Sequence, residues 1–398
     1  MRKQTLLALA LAAAPLSAQS PARLPVIVVL QDQARFQDFA RSHAPDARHA
    51  ASPEAWGYLD RGVAGSVQFL ERRIGFQADH VYSAALRGFS ARLSAREIEQ
   101  LENDALVRYI EPDGTMSVVA QTLPWGIDRV NADISSTLAG NGSGAVSGVN
   151  IYVIDTGVAT HQDINMVRHV NFVGFGTNSD CNGHGTHVAG TIAARDNTVD
   201  VVGVVPGAPV TGVKVLGCNG SGTTSGVIKG IDWVTANHSK PAVANMSLGG
   251  GASQALDDAV RRSVAAGVFY AIAAGNSGAD ACLQSPARAG AGTDNGILTV
   301  AAMDINNAEP SWSNFGSCVD IWAPGVNILS TSRTGGTITM SGTSMAAPHG
   351  AGAAALYHSI QTTAPPAMIE SALKAAAVAT GTSSKDGRAI RRVEAGTF

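Results

Sequence analysis

The chain has 398 residues, of which 45% are apolar and 15% are charged, and 44 of them are glycine. This composition excludes a largely disordered chain and indicates a folded protein of two or three units with many tight turns. The formal net charge is only -3 and no run of Lys and Arg interleaves with aromatic residues, so no nucleic-acid partner is expected.

Residues 1–18 have the pattern of a secretory signal peptide. Two cations precede an apolar stretch from Leu6 to Ala14, and small residues follow it up to Ala18. A membrane anchor is the alternative, but a spanning helix needs about 20 apolar residues and this stretch is shorter. No later segment is long and apolar enough to span a membrane. We therefore predict export of a soluble product that has no membrane partner.

The stretch from Pro25 to about Asp113 predicts a small α+β unit. Ser94 and Glu97 have the spacing of a capping box, which predicts a helix directly after Ser94. The predicted strands lie at 26–30, within 79–93 on both sides of Gly88, and at 107–112, and a further helix is predicted over 62–74.

From about Pro124 to the end, short apolar runs alternate with helical stretches. Strands that are apolar on both faces and separated by helices predict an α/β fold, with a mostly parallel sheet covered by helices on both faces. The runs lie at 149–155, 210–216, 242–248, 268–274 and 296–302, and the helices at 185–195, 224–237 and 253–266.

Three polar motifs in this second unit carry reactive side chains. Asp155 lies in VIDTGV at the end of a strand, His184 in NGHGTHVAG at a helix start, and Ser344 in SGTSMAAPH at another helix start. A serine hydroxyl needs a base to take its proton, and the base needs an anion to orient it. These residues therefore predict a catalytic triad. Asn276, in AAGNSG, could donate its amide N–H to the oxyanion of a tetrahedral intermediate.

Other interpretations of these motifs exist. DTG at Asp155 is also the nucleophile motif of aspartic proteases, but that chemistry needs two paired carboxylates and the chain has no second DTG. Each motif by itself is also compatible with a turn or a helix cap. A non-catalytic binding module would require damage to Asp155, His184, Asn276 or Ser344, and all four are intact.

The order Asp, His, Asn, Ser, each within a long motif, resembles that of the subtilisin-like serine peptidases. Likeness to the proteinase K and aqualysin branch is carried by PWGIDR at 124–129, DCNGHGTHVAG at 180–190, CNGSGTTSGVIKGIDWV at 218–234 and NMSLGGG at 245–251. The resemblance implies a secreted, monomeric endopeptidase that hydrolyses protein and peptide substrates through an acyl-enzyme.

The resemblance also implies a precursor with three parts. Residues 1–18 would be the signal peptide, residues 19–117 a ferredoxin-like propeptide that acts as a transient inhibitor, and residues 118–398 the peptidase domain. Self-processing is expected between about Thr115 and Gln121.

Further site residues follow from the same resemblance. A substrate would add as a strand between two edges of a cleft. The small, apolar residue types expected in the neighbouring pocket wall indicate broad specificity, with a bias toward apolar or aromatic side chains at the scissile residue. The predicted edges are Gly220, Ser221 and Gly222 on one side and Ser247, Leu248 and Gly249 on the other, and the predicted wall includes Ala273 and Gly275.

Four cysteines lie in the second unit and allow three pairings. No CxxC pair occurs, so a zinc site is not indicated. Because an exported protein tolerates disulfides, two bridges are expected. The family resemblance pairs Cys181 with Cys218 and Cys282 with Cys318.

No cofactor is expected for catalysis, whereas a structural calcium ion remains open. Asp320, in VDIWAPG, matches a calcium-binding carboxylate of the branch. The segment 289–296, which falls where the branch contributes main-chain oxygens to that ion, is longer than the usual loop. Asp320 is also compatible with a turn or surface position that binds no metal.

Overall fold

The computed structural model describes residues 23–31, 62–114, 121–174 and 178–398. The chain divides into two compact units, Met1–Val118 and Val119–Phe398. The predicted signal peptide and nearly all of the predicted cleavage interval lie outside the described residues. No helix in these ranges is both long and apolar enough to cross a membrane.

Within its described residues, the first unit packs two helices on a four-stranded antiparallel sheet with the strand order β2-β3-β1-β4. The capping box is present, since the Ser94 side chain accepts from Glu97 N–H and the Glu97 carboxylate accepts from Ser94 N–H. Val28, Leu70 and Phe89 are fully buried in the core. The elements are β1 (Leu24–Leu30), α1 (Gly62–Ile74), β2 (Ala78–Tyr82), β3 (Gly88–Leu93), α2 (Ala95–Glu102) and β4 (Val107–Pro112).

The second unit is built on a nine-stranded sheet with the order β16-β17-β13-β12-β10-β8-β5-β7-β6. Its strand pairs are parallel except for β16 and β17 at one edge. The strands are β5 (Asn150–Asp155), β6 (Met166–Asn171), β7 (Val210–Lys214), β8 (Ala242–Met246), β10 (Val268–Ala273), β12 (Ile297–Met303), β13 (Ile321–Pro324), β16 (Val378–Ser383) and β17 (Ala389–Arg392).

Helices cover both faces of this sheet. Along β5, Ile151 and Val153 belong to one core cluster, and Tyr152 and Ile154 belong to another, because successive side chains point to opposite faces. The predicted α/β fold class is thereby confirmed. The helices are α3 (Trp125–Arg129), α4 (His184–Ala193), α5 (Thr224–Asn237), α6 (Gln254–Ala265), α7 (Thr343–Ile360) and α8 (Pro366–Ala376).

The sequence patterns did not predict the smaller strands of the second unit. Two pairs lie outside the large sheet, and β6 lies at its edge with exposed or half-exposed side chains, so none of these segments forms an apolar run. The two outlying pairs are β9 (Gly250–Gly251) with β11 (Gln284–Ser285), and β14 (Ile328–Thr331) with β15 (Thr337–Met340).

The carboxyl ends of adjacent parallel strands bring distant polar residues to one edge of the sheet. Asp155 ends β5, Lys214 ends β7 beside it, and Ser247 directly follows β8 on the other side. Asn276 follows β10 by three residues. Ligand sites of open parallel sheets lie at this edge, so the fold directs attention to these residues.

Candidate active site

Asp155 is a buried carboxylate at the end of β5. Its Oδ1 lies 2.7 Å from His184 Nδ1 and accepts the Thr156 main-chain N–H at 2.7 Å. Its side chain is 0% exposed, and Oδ2 has no hydrogen-bond partner within the described part of the chain. A buried carboxylate whose second oxygen has no partner is costly in free energy. Its charge-assisted contact with the imidazole is strong and offsets part of that cost.

His184 is the first residue of α4, and its side chain is 25% exposed. Burial alone would lower the pKa of the imidazole, but the nearby carboxylates of Asp155 and Asp180 outweigh that effect and raise it. Because Nδ1 faces Asp155, Nε2 is the ring nitrogen left to exchange a proton with another group.

Asp180 supports the start of α4, a role that the sequence analysis did not assign. Its Oδ1 accepts from Thr156 Oγ1 at 3.0 Å and from the N–H groups of Asn182 and Gly183, both at 2.9 Å. Its Oδ2 accepts from Thr186 N at 3.0 Å and Thr186 Oγ1 at 2.6 Å. These bonds fix the turn that carries His184. The one sequence signal was its position four residues before the histidine.

Ser344 is the second residue of α7 and contacts the segment after β8. Its Oγ donates to the main-chain oxygen of Ser247 at 3.2 Å, and Ser247 Oγ donates to the Ser344 main-chain oxygen at 2.8 Å. Asn245 Nδ2 in turn donates to Ser247 Oγ at 2.9 Å. The start of α7 is therefore fixed against the carboxyl end of β8.

Asn276 has its side-chain oxygen fully engaged. Oδ1 accepts from both Thr343 N and Thr343 Oγ1 at 2.8 Å. The amide nitrogen faces the chain just before Ser344, since a Cβ on Gly342 would lie 3.4 Å from Asn276 Nδ2. The donor end of the amide is therefore directed toward the start of α7.

A cavity of about 430 Å³ is lined by two of the four predicted active-site residues, and Asn276 is not among its lining residues. It contains both His184 and Ser344 in its lining, although Asp155 lies buried behind the histidine. All six residues of the two predicted cleft edges line it: Gly220, Ser221, Gly222, Ser247, Leu248 and Gly249. Apolar lining comes from Leu216, Val227, Leu248 and Leu256.

Two predicted wall residues lie outside this lining. Ala273 is 5% exposed and packs in the core of the second unit. Gly275 donates its N–H to Thr343 Oγ1 at 3.1 Å, and a Cβ at this position would lie only 2.4 Å from Asn314 Nδ2. Both residues therefore support the segment that carries Asn276.

The structure pairs Cys181 with Cys218 and Cys282 with Cys318, with sequence separations of 37 and 36 residues. The first bridge joins two neighbouring segments that line the cavity through Asn182 and Gly220, and Asn182 Nδ2 also donates to the Cys218 oxygen at 3.0 Å. It therefore restrains the cleft edge that begins at Gly220.

Asp320 does not fit the predicted calcium site. Its Oδ2 accepts the Thr299 N–H at 2.8 Å, and its Oδ1 lies 3.7 Å from the Lys374 ammonium. Calcium requires six to eight oxygen ligands, and an ammonium group in that place supplies positive charge instead of a ligand. The described residues also contain no group of three or more His, Cys, Asp or Glu side chains suited to a metal.

Oxygen atoms suited to a hard cation gather elsewhere, around Asp163. Gln121 Nε2 donates to the main-chain oxygens of Arg195 at 2.6 Å and Val201 at 3.0 Å. Asn197 Nδ2 donates to the buried Asp163 carboxylate at 2.7 Å. Burial raises the pKa of Asp163, and the bonds from Asn197 and Val201 offset only part of that rise. Carbonyl, amide and carboxylate oxygens are the donors that calcium prefers.

Known proteins resemble this chain over most of its length. The alkaline serine exoprotease A of Vibrio alginolyticus is 42% identical over 88% of this chain, which spans 66% of that relative. The extracellular serine proteinase of a Thermus species is 44% identical over 75% of this chain and 73% of its own length. The crystal structure of a cold-adapted subtilisin-like serine proteinase matches 68% of this chain and 97% of its own, with 44% identity and a TM-score of 0.59.

Family models match both units. Residues 25–118 match the peptidase inhibitor I9 family, and residues 146–393 match the subtilase family. The second match contains Asp155, His184, Asn276 and Ser344. The chain therefore belongs to the subtilase family, as a subtilisin-like serine protease that carries an inhibitor domain ahead of its protease domain.

Proposed function

We propose that this chain is a secreted endopeptidase in which Ser344, His184 and Asp155 form the catalytic triad. The observation that carries the proposal is the 2.7 Å contact between His184 and Asp155, made beside a cavity that His184 and Ser344 both line. His184 Nε2 takes the Ser344 proton as Oγ attacks the peptide carbonyl, and later gives it to the leaving amine. Water then hydrolyses the acyl-enzyme.

The Ser344 hydroxyl must turn before it can react. It donates to the Ser247 oxygen at 3.2 Å, which leaves His184 without its proton donor. Catalytic hydrogen bonds are often long in the free enzyme and tighten once substrate is bound. A peptide in the cavity would exclude water from this pair and favour the rotation toward Nε2.

Charge on the tetrahedral intermediate would be stabilised by Asn276 and by the start of α7. The Asn276 oxygen is held by Thr343 in two hydrogen bonds, so the amide nitrogen is already oriented when the negative charge develops. Ser344 lies in the first turn of α7, where main-chain N–H groups and the helix dipole favour an anion.

Substrates would bind as an added strand between residues 220–222 and 247–249, held by main-chain hydrogen bonds. The apolar lining from Leu216, Leu248 and Leu256 supports a preference for apolar or aromatic residues at the scissile bond. Peptide substrates that differ only at this residue test the preference. Faster cleavage after Glu or Lys than after Phe or Leu would contradict it.

The maturation scheme remains part of the proposal. We propose a signal peptide at 1–18, an inhibitory propeptide at 19–117 and a protease domain at 118–398, with a cut between about Thr115 and Gln121. The inhibitor-family match and the extracellular relative support this scheme, and the four motifs at 124–251 support the proteinase K and aqualysin branch. Sequencing the N-terminus of the secreted protein tests the cut, and an N-terminus upstream of residue 100 would contradict it.

The first experiment replaces the nucleophile. Ser344→Ala removes a hydroxyl but no buried charge, so we expect a folded, secreted precursor that stays uncut from about Gln19 to Phe398. Loss of the equivalent serine lowers kcat by about 10⁶ in a subtilisin, a family member from which this magnitude is taken. Casein hydrolysis and labelling by a radioactive sulfonyl fluoride measure the outcome in a protease-free host.

The matched control is Ser341→Ala, three residues upstream, whose hydroxyl accepts the Asn327 N–H at 2.8 Å. It should mature, hydrolyse casein and take up the label. If Ser344→Ala matures and hydrolyses casein like the parent, the serine-protease assignment of this residue is wrong. An aspartic protease would instead be indifferent to Ser344 and inactive without Asp155.

We further propose that any structural calcium binds near Asp163 and not at Asp320. The carboxylate of Asp163, the Asn197 and Gln121 side chains and the oxygens of the 195–201 loop would hold it. Binding would stabilise the folded state by mass action. In the parent, a chelator should lower the apparent Tm, whereas Asp163→Asn should no longer respond to it. Equal responses of both proteins would contradict this location.

A further inference from the structure

One ammonium group lies among three carboxylates on the side of the second unit where α8 packs. Lys374 Nζ lies 2.8 Å from Glu370 Oε1, 3.0 Å from Asp294 Oδ1 and 3.7 Å from Asp320 Oδ1. The Glu370 side chain is 0% exposed and that of Asp320 is 8% exposed. These four residues are called the Lys374 cluster below.

The second oxygens of both buried carboxylates bind main-chain amides. Glu370 Oε2 accepts the Gly296 N–H at 2.7 Å, and Asp320 Oδ2 accepts the Thr299 N–H at 2.8 Å. Each carboxylate therefore has one oxygen on the backbone and one facing Lys374. Two buried anions this close need a nearby positive charge, because desolvation and mutual repulsion both oppose their ionisation.

In the loop before β12, two main-chain oxygens accept hydrogen bonds from a side chain of the same loop. Asn295 Nδ2 donates to the main-chain oxygens of Gly290 at 2.9 Å and Ala291 at 3.3 Å. Asp294 adopts a left-handed backbone with φ 48°, and its carboxylate reaches Lys374 from this loop. The lengthened segment 289–296 therefore supplies an anion to the cluster, while two of its carbonyl oxygens are turned toward Asn295.

We infer that the Lys374 ammonium is the resident cation of this cluster and that it takes the place of calcium at Asp320. Lys374 is one helical turn after Glu370 on α8, so the helix itself delivers the positive charge. A divalent cation could not reach Asp320 without displacing this ammonium. The packing of α8 against the 289–296 loop is consequently independent of calcium.

Calcium binding to the full chain carrying Ser344→Ala tests the inference, since this background excludes self-digestion whatever the maturation state. After removal of divalent ions, CaCl₂ is titrated by calorimetry into this protein, its Asp320→Asn variant and its Asp163→Asn variant. We expect the Asp320→Asn protein to bind as many calcium ions as the background protein. Loss of one bound ion in Asp320→Asn would overturn the inference.

Asp163→Asn is the matched control, because it also neutralises a buried carboxylate of the same unit. If it retains full stoichiometry, the calcium location proposed above is wrong and the inference about Lys374 is unaffected. The two ideas can therefore fail separately.

Lys374→Met tests the ammonium itself. Removing it leaves the buried carboxylates uncompensated, which should lower the apparent Tm in chelator by about 5 °C or more. Lys374→Arg, which keeps the charge, should lose less. If Lys374→Met and the background protein melt at the same temperature in chelator, the ammonium is not the compensating cation.

Discussion

At two sites in the second unit, buried carboxylates face a basic side chain, and the two sites differ in which basic side chain that is. Asp155 faces His184, a titratable base that is 25% exposed beside the cavity, and one Asp155 oxygen has no partner among the described residues. Asp320 and Glu370 face Lys374, and each has its other oxygen on a main-chain amide.

The difference separates the proposed catalytic use of a buried charge at Asp155 from a structural use at Asp320 and Glu370. A histidine can lose and regain its proton near neutral pH, so the pair with Asp155 can store charge during a reaction. Glu370 is the main anion that raises the pKa of Lys374 despite the opposing effect of burial, so this cation stays charged. A change in the first group should therefore affect catalysis, and a change in the second should affect stability.

The largest effect on this comparison is expected from Asp155→Asn. The amide keeps the size of the side chain but presents no anion to His184, so the imidazole loses both its orientation and its stabilised charged form. We expect kcat to fall by about 10⁴, the loss measured when a triad aspartate is changed in this way. Precursor processing should slow in parallel. A variant that processes and turns over like the parent would remove Asp155 from the reactive group.

Asn276→Leu should produce the next largest effect. The oriented amide donor is lost while the branched shape of the side chain is kept, so stabilisation disappears only from the transition state. The expected decrease in kcat is about 100- to 1000-fold, a magnitude known from a subtilisin, with KM nearly unchanged. Steady-state kinetics on a peptide substrate decide the matter. An increase in KM with unchanged kcat would assign Asn276 to substrate binding instead.

Asp180→Asn should move the pH dependence of the reaction. In the proposed mechanism His184 acts as a base in its neutral form. Against the effect of burial, Asp155 and Asp180 raise the pKa of His184, so we expect the acid limb of kcat/KM above the ordinary histidine value. Removing the Asp180 charge lowers that pKa, so the limb should shift toward lower pH. Some loss of kcat should accompany the shift, because Asp180 also positions the turn before α4.

Asp196→Asn is the control for this shift. Asp196 also accepts several main-chain N–H groups, from Gly140, Gly142 and Gly144, but its contacts lie in a different loop. Its replacement should leave the acid limb in place. If both variants, or neither, move the limb, Asp180 does not act on His184 through its charge.

The smallest effect concerns stability and pH at the Lys374 cluster. Burial and the charge of Glu370 raise the pKa of Asp320 to about 7, against the opposing effects of the Thr299 N–H, Lys374 and Arg388. Between about pH 4 and pH 7, the folded state therefore holds a proton on Asp320 that the unfolded state has released. The stabilisation from this proton is complete below about pH 4 and is lost as the pH rises through 7.

Asp320→Asn should remove that loss, which we expect to be on the order of 2 kcal/mol. The free energy of unfolding is measured at pH 5 and pH 8.5 for the full chain with Ser344→Ala, with and without Asp320→Asn. The difference between the two pH values should be smaller in the protein that carries Asp320→Asn. The same decrease in both proteins would show that Asp320 keeps an ordinary affinity for protons.

The sequence by itself determined the local elements and predicted the residues that we propose to be reactive. The capping box at Ser94 predicted α2, the helix predicted over 224–237 coincides with α5, and the strand before Asp155 ends as expected. These features depend on residues a few positions apart, so periodicity, capping and glycine-rich motifs are sufficient to recognise them. The family resemblance then indicated how the motifs work together, an indication that the family match supports.

Only the tertiary structure decided which distant charges meet. Glu370 and Lys374 lie one turn apart on α8, whereas Asp320 lies in the loop before β13 and Asp294 in another loop. No local pattern joins these three segments. The sequence therefore left Asp320 as a possible calcium ligand, whereas packing placed an ammonium beside it. The support that Asp180 gives to His184 was hidden for a similar reason. Hydrogen bonds from a folded turn depend on its backbone geometry, and side-chain types in the sequence do not specify that geometry.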